Sequence, residues 1–176
     1  MEASHGAVAG TARIISSSGG VGIMEIGPIC AVLWREGVTA PRFEKQRAAL
    51  AEVVDKHPGQ AAFLCIIEPT AHPPDDKLRR ASTDMVLGHG DRLKCVAGVI
   101  EGTGFRAAVT RSALSTITMF MANRKGRISV FSEITGALRW MVQSAKIDVA
   151  PRAASEIERL RGMLPPAEGS YGKPSN

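Results

Sequence analysis

The stretch Ala61–Ile67, AAFLCII, decides the fold. It is a continuous apolar run bounded by turn residues, which is the pattern of a strand buried on both faces of a sheet. A second run of this kind, KCVAGVI at residues 94–100, follows after a helical pattern. Strands that alternate with helices pair in parallel and carry the helices on their faces. The sequence therefore predicts that these two runs lie side by side inside an α/β domain.

The residues before the central run predict the first part of the domain. Residues 11–17 and Val21–Ile26 have the composition of short strands around a glycine turn, and residues 29–35 form another strongly apolar strand. Thr39 is a suitable N-cap for a helix that runs to about Lys56. Two or three strands and one helix are therefore expected before the central strand.

The same alternation continues after the central run. Helical spacing predicts a helix from Asp75 or Asp76, the longest helix over residues 105–121, a short strand at Ile128–Phe131 and a helix capped by Ser132. The predicted helices each carry apolar residues at helical spacing, which we expect to face the core. They are Phe43, Leu50, Val53, Val54, Leu78, Ala81, Met85, Val86, Ile134, Ala137, Leu138, Met141, Ile157, Leu160 and either Met163 or Leu164.

The chain is divided by composition into one domain and its flanks. We expect residues 1–10 to be a flexible lead, residues 11–147 to form the α/β domain, and residues 148–164 to add a C-terminal helix that starts near Pro151. Residues 165–176 contain too few apolar side chains to pack and are expected to be disordered.

The charge pattern permits an anionic partner without indicating one. Lys and Arg number 22 against 17 Asp and Glu, so the net charge is +5, and the cations are scattered with few aromatic residues among them. This pattern does not predict nucleic-acid binding. The longest stretch without a charged residue, 112–123, has 12 residues, and a helix needs roughly 20 to cross a bilayer. No membrane span is predicted.

The cysteines bear on both location and chemistry. Their odd number, their distance from one another and their apolar surroundings are typical of a protein of the reducing cytoplasm, and the first residues lack the pattern of a secretory signal. We expect a cytoplasmic protein. Cys65 lies within the central strand, where a thiol is inert. The three cysteines are Cys30, Cys65 and Cys95.

The titratable residues do not form a set that predicts catalysis or metal binding. The histidines of the predicted loops lack metal-ligand spacing, so neither a metal nor a cofactor is expected. Asp75 and Asp76 could act as paired carboxylates, but helix capping is the favoured interpretation. Glu68 ends the central strand at the edge where ligands enter such sheets, although a solvated strand end is favoured. These loop histidines are His57, His72 and His89.

Several short motifs carry a family resemblance. Their order along the chain is a strand ending in Trp34 before Val38-Thr39, the central strand at 63–67, the turn Glu101-Gly102-Thr103-Gly104-Phe105, the pair Arg111-Ser112, and the closing segments Val130-Phe131-Ser132 and Ala137-Leu138-Arg139-Trp140. In this order the chain resembles the STAS superfamily, and more narrowly the bacterial SpoIIAA-like domains of STAS/SEC14 type. The resemblance extends from about Ile14 to Met141.

The resemblance implies both a fold and a kind of function. The fold would be a mixed sheet of four to five strands with helices packed against it, here extended by the C-terminal helix. The function would be protein–protein recognition in a bacterial regulatory or scaffold module, without catalysis. In related anti-sigma-factor antagonists a Ser or Thr after the central strand is phosphorylated. The loop that follows Ile67 lacks the Asp-Ser/Thr-Ser-Gly pattern, and Thr70 is its one hydroxyl.

Two surfaces are therefore candidate sites. The first is a protein-partner surface on the loop after the central strand and the helix it feeds, with Thr70, Asp75, Asp76 and Arg79. The alternative is a site of SEC14-like type for a lipid or a nucleotide in the 101–106 turn, where a tight strand-to-helix connection is the favoured interpretation. Its residues would be Thr103, Gly104 and Arg106. A strand edge within residues 11–26 would also permit weak homodimerisation.

Overall fold

A computed structural model describes residues 12–72, 74–102 and 127–167 of the chain. Within those residues the fold is α/β, with one mixed sheet of six strands and helices on both of its faces. The strands are β1 Ala12–Ser18, β2 Val21–Ile26, β3 Ile29–Trp34, β4 Ala61–Ile67, β5 Leu93–Ile100 and β6 Ile128–Phe131. The helices are α1 Ala40–Lys56, α2 Asp76–Gly88, α3 Ile134–Gln143 and α4 Ala153–Met163, with a short 3-10 turn at Gly90–Arg92.

The order of the strands across the sheet is the order along the chain. β1, β2 and β3 pair antiparallel, whereas β3 to β6 pair in parallel. Trp34 lies opposite Ile67, and Ile67 lies opposite Ile100, so β3, β4 and β5 end at the same level. We call the residues that directly follow these three strands the carboxyl edge of the sheet.

The prediction for the two interior runs is confirmed. β4 and β5 are parallel neighbours, with Ala62 opposite Cys95 and Cys65 opposite Gly98. Helices cover both faces of the sheet at this point. A strand covered on both faces has no solvent side, which explains why Ala61–Ile67 lacks the alternation of a half-exposed strand.

In the described part of the chain, each face of the sheet packs against a different pair of helices. α1 and α2 pack on the face that carries Val32 and Phe63, and α3 and α4 pack on the face that carries Leu33 and Leu64. The residues that we expected α1, α3 and α4 to turn inward are buried, with Leu164 buried in place of the half-exposed Met163. These buried residues are Phe43, Leu50, Val53, Val54, Ile134, Ala137, Leu138, Met141, Ile157 and Leu160.

α2 is held less deeply than the other helices. Of its four predicted core residues, Met85 is buried, while Leu78, Ala81 and Val86 are partly buried against the same cluster. Its contacts in the described part of the chain are mainly with α1. α2 therefore lies at the outside of the layer.

Several details differ from the sequence-based predictions. The described residues form six strands, and the resemblance implied four to five; the turn at Gly27, whose φ is +54°, lets β3 pair with β2, so three strands open the sheet. Ser132 does not cap α3, because Glu133 holds the N-cap position. Thr39 does hold the N-cap position of α1, without a side-chain hydrogen bond. The helix predicted over 105–121 lies outside the described residues.

Candidate functional site

Three charged residues meet at the carboxyl edge. Arg35 follows β3, Glu68 follows β4 and Glu101 follows β5, and the common level of the strand ends brings these side chains together. Arg161 joins them from the last turn of α4. We call these four residues the carboxyl-edge network.

Glu68 is the shared acceptor of the carboxyl-edge network. Its side chain is 8% exposed and accepts from Arg35 Nε at 2.8 Å, Arg35 Nη2 at 3.1 Å and Arg161 Nη1 at 2.6 Å. Arg161 also donates to both carboxylate oxygens of Glu101, at 2.8 and 2.7 Å, and through Nε to Glu158 at 3.0 Å. Two arginines and two strand-end glutamates therefore satisfy one another.

The electrostatics of Arg161 follow from this geometry. Burial alone would lower the pKa of its guanidinium, but the hydrogen bonds to Glu101 and the charges of Glu101, Glu158 and Glu68 outweigh burial and raise the pKa. A partly buried ion pair is costly to break, because removal of one partner leaves the other charged and desolvated. Removal of either carboxylate from this network should therefore destabilise the fold.

The expectation of a solvated strand end for Glu68 is wrong. The structure buries this carboxylate between two guanidinium groups. One signal was present in the sequence: each of three successive parallel strands is followed at once by a charged residue. The contribution of Arg161 carried no such signal, because it lies 93 residues from Glu68.

The predicted partner-binding residues lie beside the network, on the β4–α2 loop and the first turn of α2. Thr70 is exposed, and its hydroxyl donates to the Arg35 carbonyl at 2.6 Å. The Asp75 carboxylate accepts from Leu78 N at 2.8 Å, so its predicted capping role is confirmed. Asp76 and Arg79 form an ion pair with each other, with side chains that are 76% and 47% exposed. Thr70, Asp76 and Arg79 are therefore exposed, and Asp75 caps the helix that Asp76 and Arg79 belong to.

A second group of charges lies at the opposite edge, near the start of β3. Glu25 of β2 is opposite Cys30 and accepts from Arg13 at 3.0 and 2.7 Å and from Lys56 at 2.9 Å. Burial alone would raise the pKa of Glu25, but the hydrogen bonds and charges of Lys56 and Arg13 outweigh it and lower the pKa. Glu52 shares both cations.

Other candidate chemistry has no supporting geometry in the described ranges. Burial raises the pKa of Cys65 and of Cys95 to about 12, so at neutral pH both thiols are protonated and unreactive. Among the described residues, no group of three or more His, Cys, Asp and Glu side chains is placed to hold a metal ion, and no helix is long and apolar enough to cross a membrane. The predicted ligand-binding residues, Thr103, Gly104 and Arg106, lie outside the described residues.

Comparisons of this chain with family models, with curated proteins and with solved structures gave no match.

Proposed function

We propose that this protein is a non-enzymatic regulatory or scaffold module that works by binding a protein partner. The partner-binding surface consists of the β4–α2 loop and α2, with Thr70, Asp75, Asp76 and Arg79. One contrast supports the proposal. The charges at the carboxyl edge form partly buried ion pairs with one another, whereas Asp76 and Arg79 of α2 are exposed to solvent.

The first support is the state of the carboxyl edge. In parallel α/β sheets, ligands and reacting groups gather at this edge. Here the acids at the ends of β4 and β5 are Glu68 and Glu101, and both are held in ion pairs by Arg161. The carboxylate oxygens of both residues therefore accept hydrogen bonds from within the molecule.

The second support is the character of α2. The helix buries one residue, Met85, in the described part of the molecule. Its outer side presents both signs of charge, with Asp76, Lys77, Arg80 and Asp84 all exposed. Exposed charges steer the encounter of two proteins and select the partner more than they add affinity. A weakly embedded helix with such a surface is suited to recognition.

The family resemblance belongs to the same proposal. A SpoIIAA-like module of STAS type would use a loop after its central strand to bind a partner, and the β4–α2 loop holds that place. The missing Asp-Ser/Thr-Ser-Gly pattern argues for recognition without the usual phosphorylation switch. The six strands would make one edge strand an addition to the SpoIIAA-like sheet. We place the protein in the cytoplasm on the strength of its three free cysteines.

Charge reversal at one exposed arginine tests the proposal. Tagged wild-type protein and Arg79→Glu are used to capture proteins from a lysate of the organism that encodes the chain, and the proteins enriched by wild type are quantified by mass spectrometry. We expect Arg79→Glu to lower their recovery by about tenfold or more, since like charges across an interface cost several kcal/mol.

The matched control is Arg139→Glu. Arg139 is an exposed arginine of α3, which packs on the opposite face of the sheet. This variant makes the same change of charge far from the proposed surface, so it should leave recovery within about twofold of wild type. Equal recovery with both variants, or a loss confined to Arg139→Glu, would overturn the assignment of the surface.

The alternative of a small-ligand domain is separated by a thermal-shift screen. Lipids and nucleotides that bind the folded chain raise its melting temperature by mass action. A reproducible increase with either class would favour a small-ligand domain over the partner-binding surface.

A further inference from the structure

We infer that α4 restrains the conformation of the β4–α2 loop through Arg35 and Glu68. The loop carries the proposed partner-binding surface, but the inference concerns the loop's conformation and is tested without any partner.

The first step is the state of Arg35. A guanidinium has five N–H donors, and each donor of Arg35 has an acceptor. Two donate to the Glu68 carboxylate, at 2.8 and 3.1 Å. The other three donate to the carbonyls of Arg161 at 3.1 Å, Leu164 at 2.8 Å and Pro165 at 3.1 Å. Arg35 therefore contacts Glu68 and the end of α4 at the same time.

These carbonyls are a natural target for a cation. Arg161 lies in the last turn of α4, where its carbonyl also accepts from Leu164 N at 3.3 Å, and Leu164 and Pro165 directly follow the helix. The negative end of the helix dipole attracts positive charge. Arg35 lies 126 residues before Arg161 in the sequence and thus caps the C-terminal end of α4.

The second step is the attachment of the loop to the same residue. The Arg35 carbonyl accepts the Thr70 hydroxyl at 2.6 Å, and Glu68 N donates to the Trp34 carbonyl at 2.9 Å. Ala71 N in turn donates to the Glu68 carbonyl at 3.0 Å. The course of the loop over residues 68–71 is therefore set by the position of Arg35 and Glu68.

The third step is the link through Arg161. This residue of α4 donates to Glu68 Oε1 at 2.6 Å and to both oxygens of Glu101. Glu68 is thus held from two sides, by a residue next to the loop and by a residue of the helix. α4 itself is fixed, because Ile157 and Leu160 are fully buried in the core. A change at the end of α4 can therefore reach the loop through Glu68, which Arg161 contacts, and through Arg35, which contacts the helix end and Thr70.

Native-state amide hydrogen exchange tests the inference on the full chain. Arg161→Met keeps an unbranched apolar stem and removes the charge and the donors. We expect it to speed exchange of the amides over residues 68–78 by about tenfold or more, since local opening is detected separately from global unfolding. Exchange in the β4 and β5 ladder should change by less.

Arg159→Met is the control on the same helix. Arg159 pairs with Glu156, which lies on α4 itself, so its loss should leave exchange over residues 68–78 within about twofold of wild type. Unchanged exchange at 68–78 in Arg161→Met overturns the inference. Equal acceleration along the whole chain also overturns it, because it would mean general destabilisation.

A second variant decides the matter if Arg161→Met fails to fold. Arg161→Lys retains the cation and loses the bidentate fork that spans Glu68 and Glu101. It should accelerate exchange at 68–78 more than in the ladder, by about threefold or more. Unchanged amide exchange over residues 68–78 in this variant contradicts the inference. Because no partner is used, failure here would leave the capture experiment with Arg79→Glu unaffected.

Discussion

The carboxyl-edge network and the outer side of α2 contain the same types of residue and use them in opposite ways. Glu68 is 8% exposed and shared between two arginines, whereas Asp76 is 76% exposed and has a single arginine partner one turn away. The two regions adjoin, since the loop that begins with Glu68 leads into α2. Burial, and not residue type, separates them.

The difference has a physical origin in the solvent. Water screens an exposed pair and leaves it with little net energy, while a pair taken out of water is stabilising only if every charge is matched. The buried charges therefore fix the structure, and the exposed ones remain available to meet a partner.

The largest effect is expected from Glu68→Gln. The variant keeps the shape of the side chain and removes the charge that two arginines share, so the loss of unfolding free energy should be about 3–5 kcal/mol. Urea unfolding measures it. Asp76→Asn, the equivalent change on α2, should cost less than about 1 kcal/mol. Similar losses for the two variants would contradict the contrast.

Gly22→Ala tests how closely the apolar side of α4 packs against β2. A Cβ at this position of β2 would lie 2.9 Å from Leu160 Cγ and about as close to both of its Cδ atoms. Such overpacking costs about 1–3 kcal/mol, which thermal unfolding would detect. Gly162→Ala is the control: its Cβ meets nothing within 4 Å, so it should be neutral or stabilise the helix by up to about 1 kcal/mol.

Acid should weaken the group of charges around Glu25. Its pKa in the folded protein lies below the ordinary 4.5, so the stability it contributes is complete above about pH 4.5 and is lost as the pH falls through the lowered pKa. Hydrogen bonds to a charged group are worth about 1.5–3 kcal/mol, an upper bound here because Lys56 and Arg13 are partly exposed.

The measurement is urea unfolding of wild type and Glu25→Gln as a function of pH. The difference between the two should be greatest near pH 7 and should shrink below pH 4.5. A difference that is constant down to acid pH would show that the carboxylate's charge contributes nothing.

The smallest expected effect separates the two neighbouring aspartates of α2. Asp75→Ala removes the N-cap bond to Leu78 N and should cost about 1 kcal/mol. Asp76→Ala removes an exposed pair with Arg79 and should cost about 0.3–0.5 kcal/mol. Chemical unfolding of the two single variants compares them directly, and Asp75→Asn, which can still cap, is the control. A larger loss at Asp76 would contradict the assignment of the cap.

The sequence predicted the interior of this fold well, because its signals there are local. The unbroken apolar runs of β4 and β5 mark strands covered on both faces, and the spacing of Phe43, Leu50 and Val53 identifies the buried side of α1. Asp75 was recognisable as a cap from its position before a helical pattern.

The carboxyl-edge network could not be predicted in full for the same reason. Arg35, Glu68 and Glu101 are close because three strands end in register, which is a consequence of pairing that the apolar pattern suggests. The place of Arg161 depends on how α4 crosses the sheet, and that is decided by the packing of Ile157 and Leu160. An interaction between residues so distant in sequence leaves no local pattern.

Site-specific photo-crosslinking inside the cell tests whether the exposed side of α2 contacts a protein partner. A benzophenone amino acid replaces Arg80 on the exposed side of α2 in one variant and Arg139 on α3 in another, and covalent adducts are identified by mass spectrometry after irradiation. The account predicts a discrete protein adduct from position 80 and none from position 139. No adduct from position 80, or an adduct from position 139 alone, would contradict it.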